Sequence, residues 1–238
     1  MPVVYLHGGG DSRLSRHPDD SIAASLGVRL VALDRCGVAV RRPTLRAWAE
    51  EILPRLPVDE FSVVGWSAGG PHALALAAAA PGRVLRVAAV GSLPPPDVLR
   101  WVGGDARNVI RLARASPGLA RVPLERWGRR PVPPTGSPET DDAYARGRVE
   151  SFRFGGLWLA YELAYLAKPW GFDLSDVRAP VTLWFGERDT TCPPTIAHEL
   201  IHRLPNAKLK LVDDTHQLLF TRWREILADV APAPRTDP

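Results

Sequence analysis

Cysteine, methionine and lysine are all scarce in this chain: two, one and three residues in 238. Two cysteines, Cys36 and Cys192, cannot build the disulfide framework of a small secreted domain. No apolar run is long enough to span a membrane, and the longest candidate, 63–80, is interrupted by Gly, Ser, His and Pro. The start, Met1-Pro2-Val3-Val4, shows no basic segment followed by an apolar one, so no secretory leader is visible. These absences point to a reduced, cytoplasmic setting and no membrane. Zinc-finger spacing, RNA-binding aromatic patterns and basic helices are missing too. The net charge of +4 is therefore not read as nucleic-acid binding. Arginines are spread through helical segments together with Asp and Glu, and with 24 prolines they read as a compositional bias. Arginine concentrates only between Arg100 and Arg130. That stretch could favour an anionic ligand, but it reads first as a solvated surface.

The length suits one α/β domain, and 45% hydrophobic residues is ordinary for a globular chain. Apolar runs at 2–7, 28–34, 61–66, 84–90, 180–185 and 207–212 alternate with helical patterns at 18–26, 44–56, 68–80, 193–204 and 218–229. This alternation predicts a mainly parallel twisted sheet with helices on both faces. Residues 94–175 break it: Pro-, Gly- and Arg-rich first, then helical around 140–167. They read as an inserted helical cap on a core formed by 1–93 and 176–230, with 231–238 a disordered tail.

The richest signal is Gly65-Trp66-Ser67-Ala68-Gly69, directly after Phe61-Ser62-Val63-Val64. A serine between two glycines, closing a strand and opening an Ala/Leu-rich helix, reads as a nucleophile elbow. Upstream, Val3-Val4-Tyr5-Leu6 runs into His7-Gly8-Gly9-Gly10. Downstream, a strand ends in Gly186-Glu187-Arg188-Asp189, and another is followed by Asp213-Asp214-Thr215-His216. These four features, in this order, resemble the α/β-hydrolase superfamily over nearly the whole chain, and most of all its small esterase-like, cofactor-free members. Relatives usually carry a β-hairpin before the first of these strands. This chain begins almost on that strand, so either two edge strands are missing or the start lies upstream.

The resemblance implies a Ser-Asp-His triad: Ser67 as nucleophile, His216 as base and Asp189 as the acid that orients it. Asp213, Asp214 and Glu187 are the alternatives for the acid. The backbone N–H groups of Ala68 and Gly9 are the expected oxyanion donors, with Gly10 the alternative to Gly9. Gly10, Trp66 and Trp158 are the expected substrate contacts. The aromatics of the insert, from Phe152 to Phe172, read as cap packing, with an acyl pocket as the second reading. His7, His17 and His72 read as structural, and Asp34-Arg35-Cys36-Gly37 as loop architecture beside the pocket. Relatives often have Gly where Thr215 precedes His216.

The implied reaction is hydrolysis of a small-molecule ester, lactone or thioester through an acyl-serine, with no metal or organic cofactor. The same triad could serve C–C bond hydrolysis, perhydrolysis or acyl transfer, and a non-catalytic ligand-binding member stays open. His198-Glu199-Leu200-Ile201-His202 fits the zinc-protease pattern H-E-x-x-H. However, Ile196, Leu200 and Leu204 mark the buried face of that helix, which turns both histidines toward water.

Overall fold

The computed structural model describes residues 1–35 and 44–232. Cys36, Gly37 and the tail from 233 onward lie outside the described residues. Six strands form one all-parallel sheet: β1 (Pro2–Leu6), β2 (Arg29–Leu33), β3 (Phe61–Trp66), β4 (Val84–Val90), β5 (Val181–Gly186) and β6 (Ala207–Val212). They lie in the order β2-β1-β3-β4-β5-β6. Register follows the apolar runs, for example Val4 opposite Val63 and Leu183 opposite Leu209.

Successive side chains of a strand face opposite ways, so each strand feeds two cores. Val4 and Leu6 of β1, Phe61 and Val63 of β3, and Leu183 and Phe185 of β5 face α2 (Leu45–Ile52), α3 (Gly69–Ala79) and α8 (Pro194–Ile201). Val3, Tyr5, Val64, Trp66 and Trp184 face α1 (Asp20–Ser25), α9 (Leu218–Thr221) and α10 (Trp223–Val230). Thr44 starts α2 by accepting the Ala47 N–H at 3.2 Å, as its place before the apolar pattern suggests. His198 and His202 are exposed, while Ile196 and Leu200 are fully buried.

Between β4 and β5 lie four helices: α4 (Gly104–Ala115), α5 (Pro117–Gly128), α6 (Pro138–Phe152) and α7 (Leu157–Leu166). The sequence reading had only the second half helical. Arginine is a good helix former, and Pro117 sits at the first helical position, where its missing N–H costs nothing. Ile110 and Ala113 of α4, and Ala120 and Leu124 of α5, supply the buried stripe. The run expected over 140–167 is cut at Gly155, whose φ of +74° ends a right-handed helix. The expected helix 218–229 is likewise two helices, meeting at Arg222.

Candidate active site

β3 ends at Trp66 and α3 begins at Gly69, so Ser67 and Ala68 turn the chain within two residues. Two glycines make room for that. A Cβ on Gly65 would stand 2.4 Å from the Gly69 carbonyl oxygen, and a Cβ on Gly69 would stand 2.2 Å from the Leu6 carbonyl oxygen in β1. At the apex Ser67 has φ +53°, alone among the described non-glycine residues in the left-handed region. Such a backbone costs an L-residue about 1 kcal/mol or more, so its surroundings must hold it. The Ser67 N–H donates to Val90 (2.9 Å), and its carbonyl accepts from Gly70 (3.0 Å) and Leu93 (3.1 Å). The side chain is left half-buried at the C-terminal rim of the sheet, where ligands of parallel sheets bind.

Asp189 follows β5 and His216 follows β6. The Asp189 carboxylate is fully buried and divides its oxygens. Oδ1 accepts the N–H groups of Thr191 and Cys192, each at 2.8 Å, and Oδ2 lies 2.7 Å from His216 Nδ1. A carboxylate facing Nδ1 holds the ring proton there and leaves Nε2 as a base. Of the four acids considered, Asp189 is the one that meets the imidazole. Asp213 pairs with Arg188 at 2.7 Å, Asp214 accepts the Thr215 N–H at 2.7 Å, and Glu187 is exposed. Thr215 fits its position without a left-handed backbone, and its hydroxyl bonds Gln217 at 2.9 Å.

Three residues that the sequence did not single out shape this region. Gly91, just after β4, has φ +48°, and a Cβ there would stand 3.2 Å from His216 Nδ1 and 3.3 Å from Asp189 Oδ2. Its place after an apolar strand was a readable signal. Leu159 of α7 and Trp127 of α5 reach the glycine loop. A Cβ on Gly9 would lie 3.4 Å from Ala68 Cβ and 3.5 Å from Leu159 Cδ1, and one on Gly10 only 2.5 Å from the Trp127 ring. Nothing in the local sequence marks Trp127 for this role. Gly9 and Ala68 are thus neighbours, and no acceptor among the described residues takes either N–H.

Gly10, Trp66 and Trp158 are all buried. The Trp66 indole N–H donates to the His216 carbonyl at 3.0 Å, and its ring packs against His216, Tyr144 and Phe220. Trp158 donates to the Ser151 carbonyl at 3.1 Å. Both indole N–H groups are thus taken by backbone carbonyls, and the Trp66 ring also stands against Gly8 of the glycine loop. His7 and His72 are completely buried, and burial beside Arg35 holds both well below the usual histidine range. Both are therefore held neutral, and each bonds a backbone carbonyl, His7 that of Gly8 and His72 that of Ala68. His17 accepts the Asp19 N–H at 3.2 Å.

Asp11, directly after the glycines, is 2% exposed and lies 3.7 Å from Arg148 of α6. Burial lifts its pKa from 3.8 to about 6, against the pull of Arg148. The folded protein therefore binds this proton more tightly than the unfolded chain does. Asp11's contribution to stability falls as pH rises through that window, by about 3 kcal/mol in all. Asp11→Asn cannot titrate. Chemical denaturation at pH 4 and pH 7 should show the variant gaining roughly that amount relative to wild type as pH rises. A difference between the two proteins that does not change with pH would show that Asp11 titrates normally.

A serine at a strained strand–helix turn, with a hydrogen-bonded Asp–His pair following two further strands of the same parallel sheet, fits a hydrolase of the nucleophile-elbow kind. The alpha/beta hydrolase fold family matches residues 1–222, and the chain belongs to that family as an esterase-type hydrolase. It is similar to a pimeloyl-[acyl-carrier protein] methyl ester esterase of Aromatoleum aromaticum, 34% identical over 230 residues, or 89% of each chain. A protein of the same description from Chromobacterium violaceum is 29% identical over 86% of this chain and 80% of its own. Among solved structures, an esterase from Rhodococcus sp. ECU1013 superposes with a TM-score of 0.69 at 21% identity, covering 97% of this chain and 91% of its own. That likeness concerns the fold. No helix among the described residues is long and apolar enough to cross a membrane.

Proposed function

We propose that Ser67, His216 and Asp189 cleave a small-molecule ester, lactone or thioester in two acyl-transfer steps. The observation that carries this reading is the left-handed Ser67 at the β3–α3 turn. Strain is retained where a side chain must be presented in one direction. His216 Nε2 takes the Ser67 proton as Oγ attacks the carbonyl carbon, then gives it to the leaving oxygen or sulfur. It next draws a proton from the water that releases the acyl group. Asp189 holds the imidazole and stabilises it when it becomes charged. The N–H groups of Ala68, at the positive end of α3, and Gly9 bind the oxyanion. Helices α4–α7 act as a lid, with Leu159 and Trp127 as its roof over the glycine loop. Trp66 acts as a positioning residue for His216. A reduced cytoplasm is part of the proposal, and the buried free thiol of Cys192 fits it.

A narrower substrate is supported by the names of the two relatives: the methyl ester of an acyl chain carried on an acyl-carrier protein. Residues 98–130 carry eight arginines against Asp105 and Glu125, and seven of the eight are exposed. That surface suits an anionic carrier. The test pairs active-site labelling with turnover. A small fluorophosphonate should add one phosphonyl group, mapped by peptide mass to Ser67, and p-nitrophenyl acetate should turn over. A carrier-linked methyl ester should be cleaved faster than the free ester, with an advantage that fades as salt is raised. Equal rates would remove the carrier. A folded, unlabelled, inactive protein would overturn the acyl-serine reading.

A further inference from the structure

Below the glycine loop lies a polar cluster sealed from water. Arg35 follows β2 and Glu162 is on lid helix α7. Their side chains are 1% and 0% exposed, with Arg35 Nε 2.9 Å from Glu162 Oε1. Arg35 also reaches the Gly8 carbonyl oxygen with Nη2 (3.5 Å), and its backbone N–H donates to His7 Nε2 (3.1 Å). That bond makes Nε2 the acceptor of the His7 ring and leaves the proton on Nδ1, which donates to the same Gly8 oxygen at 2.7 Å. The Gly8 carbonyl is thus gripped from two sides. Across the cluster, His72 Nδ1 donates to the carbonyl of Ala68 at 2.8 Å, and its Nε2 stands 4.0 Å from Glu162.

Gly8 C=O and Gly9 N–H belong to one trans peptide unit, in which they point in opposite directions. Holding the oxygen therefore aims the N–H. The hold is needed because Gly8, Gly9 and Gly10 lack the Cβ atoms that would otherwise restrict this plane. The ion pair adds little to stability, because a buried pair rarely outdoes apolar side chains of the same volume. What it orients is therefore the better account of it.

We propose that Glu162, acting through Arg35 and His7, is a positioning residue that fixes the Gly8–Gly9 peptide with its N–H toward the reacting carbonyl. This rests on the reading of Gly9 as an oxyanion donor. It makes the oxyanion hole a joint product of the core and lid helix α7.

The test replaces both charges together, Arg35→Met with Glu162→Leu, so that neither is stranded. On an activated ester, kcat should fall about 10- to 100-fold, somewhat less than for complete loss of an oxyanion donor, while KM moves by less than about threefold. An arylboronic acid, which forms an anionic tetrahedral adduct on the serine, should lose affinity by the same factor as kcat/KM. A structural role alone would lower the melting temperature without that parallel. A folded double variant with wild-type kcat and boronate affinity overturns the inference. Should it not fold, His7→Asn and His7→Leu decide, since both leave the ion pair intact. Asn can still donate to the Gly8 oxygen and should keep kcat within about fivefold, whereas Leu should lose tenfold or more. Equal kcat in the two overturns the inference. An inactive wild type that binds no boronate overturns the acyl-serine reading itself, an outcome distinct from an active wild type with active variants.

Discussion

Ser67→Ala is expected to lower kcat for an activated ester by about 10⁵- to 10⁶-fold and to abolish the fluorophosphonate adduct, with the fold intact. Alanine keeps the strained backbone, so the loss reflects the hydroxyl alone. Asp189→Asn should cost about 10⁴-fold, for a reason visible in the hydrogen bonds. Oδ1 of Asp189 takes two backbone N–H groups at 2.8 Å. An asparagine must leave its oxygen there and turn its NH₂ toward His216 Nδ1. That donor forces the ring proton onto Nε2, the nitrogen that should receive the serine proton. Serine variants and Asp189→Asn should both melt near the wild-type temperature while losing turnover. A Ser67→Ala protein retaining more than about 1% of kcat would mean that another group is the nucleophile.

Gly69→Ala should be severely damaging. The added Cβ would meet the carbonyl oxygens of Leu6 and His7 at 2.2 and 2.6 Å. Both are backbone atoms, one at the end of a central strand, so relief requires α3 to lift from β1. We expect about 4 kcal/mol or more of destabilisation, the range reached when a core cannot adapt. That would lower the melting temperature by about 10 °C in a domain of this size. Gly82→Ala is the control: a Cβ there meets nothing within 4 Å, and it should be neutral. Similar melting temperatures for the two variants would show that the turn tolerates more than its geometry suggests.

The parts of this site that are local in sequence were legible. Ser67 sits in a five-residue pattern between a strand and a helix. Asp189 and His216 each follow a strand whose apolar run is plain. Even the two histidines of the metalloprotease-like pattern were assigned to solvent from helical periodicity, and they are exposed. The illegible parts are pairings across the chain. Arg35 meets Glu162 across 127 residues, and Arg148 lies beside Asp11 across 137, with no spacing rule to connect them. A buried charge looks like any other charge until its partner is known. The partners of the indoles were not legible for a related reason: Trp66 and Trp158 lie next to the candidate segments, but a strand or helix sends adjacent residues to different faces. Trp127, in a stretch that reads as arginine-rich surface, reaches the glycine loop at Gly10, as Trp66 does at Gly8. Helices α4 and α5 are hard to read in the sequence because proline and glycine signal breaks, yet Gly104 and Pro117 open helices and Pro123 lies inside α5.

Strand β4 ends at Val90 and its sheet partner β5 starts at Val181. Joining them closes a loop of about 90 residues, and such distant pairings form slowly. Ser67 lies on the near side of that gap, while Asp189 and His216 lie on the far side. During synthesis, the β3–α3 turn can therefore fold long before its proposed acid and base exist. On the proposed triad, the chain should stay inactive until His216, beyond the last strand, has emerged. In refolding from denaturant, recovery of turnover should lag behind recovery of helical signal.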